Sequence, residues 1–216
     1  MRHRHAFRRL ATTGLLAGGL VAAGLPALAA TATPAGEGSA YGLALTGPVD
    51  VPPVPAVAST TGNVRKSLLR QDRKLVKASA LDVDASPARA GSSVARLAVP
   101  TAELAADAVS AKCVDGRGAA HLANAVLAGK RLDASPPPNT TVPVDVDGLG
   151  RTALILNKQQ RTADGRLAVT AMELMLPRGK GALRVASATC GRGAPVRGPA
   201  EAPAPKPVKH DLPVTG

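Results

Sequence analysis

Short apolar runs separated by glycine and proline recur along residues 39–191, and they predict a domain built from β-strands. The clearest pair lies at 152–158 and 167–176, and the Asp-Gly turn at 163–166 that joins them favours a β-hairpin. Residues 183–190 then alternate as a last strand would, with Leu, Val, Ser and Thr on one face. Many short strands with turn residues at near-regular intervals are typical of a β-sandwich or a barrel-like fold. We therefore expect a single, mainly β domain.

The first half of this domain gives weaker patterns. Apolar runs bounded by proline or glycine predict further strands at 41–46, 49–57, 75–83, 93–99 and 142–146. Residues 102–113 fit two structures. Their alanine content and the helical spacing of their first apolar residues favour a helix, whereas Val109, Ala111 and Cys113 would share one face of a strand. The pattern leaves both alternatives open.

The first 29 residues have the order of an export signal. Four arginines and no acid precede an apolar run at 10–28, which ends in the small-residue site Ala27-Leu28-Ala29. An uncleaved membrane anchor is the alternative, but glycine and threonine interrupt the apolar run. We predict a signal peptide over 1–29 with cleavage after Ala29, followed by a flexible N-terminal segment over 30–38.

The last 25 residues predict an extended segment that connects the domain to an attachment point. Residues 192–211 contain five prolines and almost no apolar side chain, so they predict a disordered, extended spacer that reaches about 3 Å per residue. The pentapeptide Leu212-Pro213-Val214-Thr215-Gly216 follows. It resembles the LPxTG sorting signal of Gram-positive surface proteins. That resemblance implies that a sortase cleaves between Thr215 and Gly216 and joins the Thr215 carboxylate to peptidoglycan.

Sorting signals of this class continue into an apolar segment of about 20 residues and a short basic tail, which hold the substrate at the membrane. Two alternatives follow for this chain. Either the sequence is trimmed at its motif, or the natural protein lacks the retention segment and is secreted.

Two cysteines, Cys113 and Cys190, lie within the expected domain. In an exported protein a single disulfide is the default expectation, because the compartment is oxidising. It would close a loop of about 80 residues and contribute roughly 4–5 kcal/mol. The alternative is a nucleophilic thiol with His121 as its base, which needs an orienting third group that the sequence does not offer. We favour the disulfide.

The chain is basic, with a formal net charge of +12, which falls to +8 when the four arginines of the signal peptide leave. Beyond the signal peptide Tyr41 is the single aromatic residue, so the stacking platforms of single-strand binders cannot be built, and nucleic acid is not an expected partner. Anionic wall polymers suit an exported basic protein better. The basic residues cluster once, and we predict a solvated face there rather than a binding stripe: Arg65, Lys66, Arg70, Arg73, Lys74 and Lys77.

No residue set identifies a reaction. Two acidic pairs, Asp82 with Asp84 and Asp145 with Asp147, would each share a strand face, where carboxylates can hold Ca²⁺ or act as acid and base. We predict outward, solvated faces for both pairs. His121 and His210 have no partner at metal-ligand spacing, and the common hydrolase and phosphate-binding motifs do not occur. We expect no catalytic residue, no metal and no cofactor.

Five segments in order carry a family resemblance: AYGL at 40–43, PPPNT at 136–140, TALILNKQ at 152–159, ADGRLAVTAMELML at 163–176 and ASATC at 186–190. Together they resemble the choice-of-anchor P domain of exported actinobacterial proteins, which is similar to the LAETG-anchored surface proteins. The resemblance covers roughly 39–191, and it implies a mostly β extracellular domain that different members join to different C-terminal anchors. The basic cluster and the alanine-rich first half depart from the family pattern.

These observations predict an exported, non-enzymatic protein of a Gram-positive cell surface, attached by sortase to peptidoglycan. The alternative is a freely secreted module that binds an anionic wall polymer or a protein ligand. A small exported hydrolase is a third class, and the sequence offers it the least support.

Overall fold

The computed structural model describes residues 36–47, 50–73, 75–147 and 150–191. The signal peptide, the spacer and the LPVTG motif predicted above lie outside these residues, as does most of the segment 30–38. Within the described part, every regular element is a strand or a short 3-10 turn, and no helix there has the length and apolar character needed to span a membrane.

The strands of the described part follow one another with short connections. They are β1 (Gly38–Thr46), β2 (Val51–Ser59), β3 (Val64–Asp72), β4 (Lys77–Ser86), β5 (Arg89–Val99), β6 (Leu104–Val114), β7 (Arg117–Ala123), β8 (Val126–Leu127), β9 (Lys130–Arg131), β10 (Thr140–Val146), β11 (Gly150–Arg161), β12 (Leu167–Met175) and β13 (Ala182–Cys190).

The strands form two antiparallel sheets that pack face to face. Sheet A has the order β10-β11-β12-β13-β1-β2, and sheet B has the order β3-β4-β5-β6-β8-β9. Strand β7 also belongs to sheet B and pairs with β6. The buried side chains of both sheets make one continuous core. The prediction of a mainly β sandwich is confirmed, and the barrel-like alternative is not what the chain adopts.

The core is filled by leucine, valine and alanine, and no buried hydrophobic residue of the described part is aromatic. Leu43 and Leu154 of sheet A and Leu81 of sheet B are fully buried. Small side chains require the two layers to approach closely. Gly118 of β7 shows this, because a Cβ at that position would lie 2.2 Å from Cγ2 of Val169 in β12.

The predicted disulfide is confirmed. Cys113 in β6 of sheet B is bonded to Cys190 in β13 of sheet A, with 5.6 Å between the Cα atoms. The helix alternative for 102–113 is wrong. Residues Leu104–Val114 form β6, in which Val109 and Ala111 are fully buried beside Cys113, because their two-residue spacing places them on the inner face.

The strands of sheet A do not alternate strictly between the two faces. Ala186 has a left-handed backbone with φ of +51°. Leu183 lines an internal space together with Val99 of sheet B, and Cys190 is bonded to sheet B as well, although the two residues are an odd number of positions apart. The expected single face through 183–190 is therefore wrong beyond Ala186, where the irregular residue exchanges the inner and outer faces.

The same irregularity crosses four of the six strands of sheet A, β1, β13, β12 and β11. The residues skipped in the pairing of these neighbouring strands form one row, Gly42, Ala186, Ala171 and Asn157. Asn157 is also left-handed, with φ of +49°. The regular pairing of the four strands is thus interrupted at the same level.

The free edges of both sheets carry features that block further strand pairing. Edge strand β2 contains Pro52, Pro53 and Pro55, and edge strand β10 contains Pro143, and proline has no N–H to donate to a ladder. The free edge of β7 is covered by the loop before β10, where the Leu122 N–H donates to Ala134 O at 2.8 Å.

Edge strand β3 was not predicted, and it contains three of the six residues of the basic cluster. Arg65, Lys66 and Arg70 are exposed, and Leu69 projects into solvent with 85% of its surface accessible. Charged side chains on an unpaired strand oppose edge-to-edge association. This role accounts for much of the cluster without a ligand.

The disulfide is expected to be a major source of stability. Replacing both cysteines, as Cys113→Ala with Cys190→Ala, removes a crosslink between residues 77 positions apart and should lower the free energy of unfolding by about 4 kcal/mol. Equilibrium denaturation in urea measures this loss. The control is the unaltered protein in reductant, and a double variant as stable as the oxidised protein would contradict the expectation.

The left-handed backbone of Arg96, an exposed residue of β5 with φ of +48°, gives a second test. Arg96→Gly should raise the free energy of unfolding by about 0.5 kcal/mol, since glycine adopts this conformation without the steric penalty of a side chain. Arg89→Gly, at an exposed position of the same strand that is not left-handed, should instead lower it by about 0.5–1 kcal/mol. Denaturant melts of both variants measure these changes in the free energy of unfolding. Equal effects of the two substitutions would contradict backbone strain at Arg96.

Candidate functional site

The two cysteines cannot serve as nucleophiles in this structure, because both are consumed by the buried disulfide. The predicted partner base, His121, lies on β7 with its side chain exposed. Its Nδ1 is 3.4 Å from Oγ of Ser135, and no thiol faces it. The alternative of a Cys–His pair is therefore wrong.

A cleft of about 520 Å³ opens between the edge of sheet B at β8–β9 and edge strand β10 of sheet A. Its floor is apolar, with Leu127 and Val142 among the lining residues, and charged side chains surround it. The predicted acidic pair Asp145 and Asp147 lines this cleft. Within the described ranges no group of three or more metal-binding side chains occurs, so these two carboxylates have no third such neighbour there.

Asp145 pairs with Arg151 of the neighbouring strand β11. Its Oδ1 lies 3.4 Å from Nε of Arg151, and both side chains are mostly exposed, so the pair contributes little to stability. Pro143 lies in the middle of edge strand β10 and has no backbone N–H to donate, so an added strand could not pair along the full length of β10.

A second concavity, of about 410 Å³, lies on the outer face of sheet B. We call it the polar groove and define it by seven of its lining residues: Arg65, Asp82, Asp84, Gly91, Ser93, Ser110 and Lys112. They come from four consecutive strands, β3 to β6, and the pairing places them directly opposite one another in two rows. One row is Arg65, Asp84, Gly91 and Lys112, and the other is Asp82, Ser93 and Ser110. Ser67 of β3, which does not line the groove, lies opposite Asp82 at the end of the second row.

The other predicted acidic pair, Asp82 with Asp84, thus forms one side of the polar groove. Asp82 is exposed and accepts a hydrogen bond of 2.5 Å from Oγ of Ser67. Asp84 is half-buried, and its carboxylate lies over the backbone of Gly91. The sequence pattern identified the shared face of these carboxylates but not the serine floor beside them.

The described part also contains a buried carboxylate that the sequence analysis missed. Glu173 in β12 is 2% exposed and accepts hydrogen bonds from Nζ of Lys158 at 2.6 Å and from Nε of Arg184 at 2.8 Å. The two bases lie on the flanking strands β11 and β13. An acid inside the apolar run 167–176 was the available signal, because a charge there requires partners.

Opposing effects set the pKa of this carboxyl. Burial acts to raise the pKa of Glu173, but the hydrogen bonds and charges of Lys158 and Arg184 outweigh it and hold the pKa below its usual range. The Glu173 hydrogen bond in turn raises the pKa of Arg184. Glu173 is therefore ionised at neutral pH, and the three residues form a structural ion cluster across three strands.

A second ion cluster joins the start of β1 to the β11–β12 hairpin. Arg166 donates from Nε to Asp164 at 2.6 Å and from Nη1 to Glu37 at 2.7 Å. A hydrogen bond from Thr162, opposed by partial burial and assisted by Arg166, lowers the pKa of Asp164. The Asp-Gly turn predicted here is confirmed, with Gly165 at φ of +83°.

No family model matches this chain, and neither a curated protein nor a solved structure matches it. The resemblance to the choice-of-anchor P domain stays a prediction.

The ion cluster of Glu173 gives a prediction with a defined pH dependence. Because the folded-state pKa lies below the unfolded one, the stabilisation is complete above the ordinary glutamate pKa of about 4.3 and is lost as the pH falls through the folded-state value. Glu173→Gln should therefore lower the free energy of unfolding by about 2 kcal/mol at neutral pH and by much less in acid. Urea melts of the two proteins at about pH 7 and about pH 3 measure this difference.

The control is Asp145→Asn, which breaks the exposed pair with Arg151. It should change the free energy of unfolding by less than about 0.5 kcal/mol. An equal effect of both substitutions, or a Glu173→Gln effect that does not shrink in acid, would contradict the assignment.

Proposed function

We propose that this chain is an exported, non-enzymatic surface protein that sortase attaches to peptidoglycan through Leu212 to Gly216. The observation that carries the proposal is the LPVTG pentapeptide, placed after a proline-rich spacer in a chain that begins with the pattern of a signal peptide. Its setting would be the wall or surface of a Gram-positive bacterium.

The disulfide supports export. Structural disulfides persist in oxidising compartments outside the cytoplasm and are rare within it. Cys113 and Cys190 are both fully buried and join the two sheets of the sandwich, so the crosslink belongs to the folded domain rather than to a regulatory surface.

The geometry of the domain ends supports a tethered arrangement. Gly36, before β1, and Gly191, after β13, are neighbours, since a Cβ on Gly36 would lie 3.3 Å from Gly191 O. The spacer at 192–211 therefore starts beside the point where the domain begins. Both chain ends leave from one end of the sandwich, and the cleft beside β10 lies toward the other end.

A binding role is favoured over catalysis by the state of the reactive side chains. Both thiols are oxidised, and His121, the one histidine of the described ranges, contacts Ser135 rather than an acid or a nucleophile. Glu173, the most buried acid there, is held by two bases. These groups stabilise the fold and leave no assembled nucleophile with its base.

The test uses the complete native gene in its own host, with the protein detected by an antibody against the β domain. Thr215→Ala should shift the protein from the detergent-resistant wall fraction to the membrane or the medium, because the LPxTG resemblance implies that the transpeptidase recognises the threonine side chain at the position where it cleaves. The measurement is the amount of protein released from washed walls by a wall hydrolase.

Val214→Ala is the matched control, since the third position of the motif accepts many residues. It should leave the wall-bound amount unchanged. Retention of the Thr215→Ala protein in the wall would disprove sortase attachment. Recovery of the unaltered protein only in the medium would instead favour the secreted binding module, for which salt-sensitive retention on anionic wall polymer is the next measurement.

A further inference from the structure

We propose that the polar groove on the outer face of sheet B is a binding site for an uncharged, hydroxyl-rich ligand, namely a neutral saccharide. The inference goes beyond surface attachment, because it concerns what the folded domain contacts, and it holds whether the chain is wall-bound or secreted.

The shape and rigidity of the polar groove favour a ligand-binding site. Its floor is formed by Gly91, Ser93 and Ser110, whose side chains extend no further than one hydroxyl, while longer side chains stand on either side. Neighbouring strands lie about 4.8 Å apart, so the hydroxyls of Ser93 and Ser110 are presented side by side at a fixed spacing. A site on central strands keeps this geometry without the ordering cost of a loop.

The position of the Asp84 carboxylate also favours ligand binding. A Cβ at residue 91 would lie 2.7 Å from Oδ1 of Asp84, so only glycine permits the carboxylate to lie across β5 and into the groove. Its acceptor oxygens therefore lie over the floor of the groove at Gly91, which shares its strand face with Ser93. Carboxylates in such positions are strong acceptors for ligand hydroxyl groups.

The balance of charge among the side chains of the groove favours an uncharged ligand. The groove contains two bases, Arg65 and Lys112, and two acids, Asp82 and Asp84. Among the described residues none of these four takes part in an ion pair within 4.0 Å. Apart from Oδ1 of Asp82, which accepts from Ser67, they remain available as two sets of donors and two sets of acceptors. Their formal charges cancel.

This chemistry selects the ligand class. An anionic polymer would meet two carboxylates, and a cationic ligand would meet two bases, so a neutral ligand suffers the least repulsion. A hydroxyl group both donates and accepts, and thus pairs with a carboxylate, a serine and an ammonium group in turn. A chain of hexose rings presents such groups along a flat ribbon, which matches a shallow groove on a sheet face.

The experiment uses the full exported chain, purified from a secreting host, and the neutral tetrasaccharides cellotetraose, maltotetraose and N-acetylated chitotetraose as probes. Binding is followed by NMR shifts of the backbone amides and by calorimetry. At least one probe should bind, with shifts confined to the groove residues of β3, β4, β5 and β6. Failure of all three to bind would overturn the proposal.

Two substitutions test the site itself. Ser110→Val fills the floor and removes a hydroxyl, and Gly91→Ala displaces the Asp84 carboxylate, and each should weaken binding by about tenfold or more, the change expected when a ligand hydrogen bond is lost. Ala105→Val, at an exposed position of the same strand outside the groove, is the matched control and should bind normally. Thermal melts confirm that all three variants fold.

Equal binding by Ser110→Val and Ala105→Val would place the ligand elsewhere and reject the groove. Inorganic polyphosphate provides the opposite chemistry. If it binds and produces shifts at the same amides, with an affinity that falls steeply with salt, the site is one for polyanions and the proposal is overturned. None of these outcomes depends on Thr215, so failure here and failure of wall attachment can be distinguished.

Discussion

The inner faces of the two sheets must meet without a single aromatic side chain, and much of the rest of the structure depends on this constraint. Leucine, valine and alanine fill the space, so the sheets must approach until Gly118 leaves no room for a Cβ beside Val169. Such a core buries less apolar surface per residue than one with aromatic rings. The bond from Cys113 to Cys190 acts at this point, because it joins the two layers directly and restricts the unfolded chain.

The sequence predicts the fold class well because its strongest signals are local. The Asp-Gly turn at 163–166 and the apolar runs that flank it specify a hairpin from a few neighbouring residues, and two cysteines permit only one intramolecular pairing. The errors arise where the pattern depends on distant strands. Ala186 is left-handed and lies in a row of residues that the pairing of four strands skips, and alternation along 183–190 cannot reveal this. Strand β3 escaped prediction since an edge strand exposed on both faces needs no alternation.

The candidate sites show the same division. The shared faces of Asp82 with Asp84 follow from a period of two along one strand, but the polar groove requires the pairing of four strands, which places Ser93 and Ser110 beside them. Glu173 could have been suspected from its apolar surroundings. Its partners could not be named, because Lys158 and Arg184 are adjacent to it only through strand pairing. The sequence thus indicates which side chains share a strand face, but it does not indicate which strands bring them together.

The two proposals place different demands on affinity, and they fit together. A shallow groove without aromatic rings would bind a saccharide weakly, since it lacks the large apolar contact that stacking supplies. A tether changes what such a site can do, because attachment makes every further contact with the wall intramolecular, at an effective concentration set by the spacer. Gly36 and Gly191 lie side by side at one end of the sandwich, and the polar groove lies on the outer face of sheet B. If sortase attaches the chain as proposed, weak recognition of a neutral glycan would suffice to orient the domain on the wall.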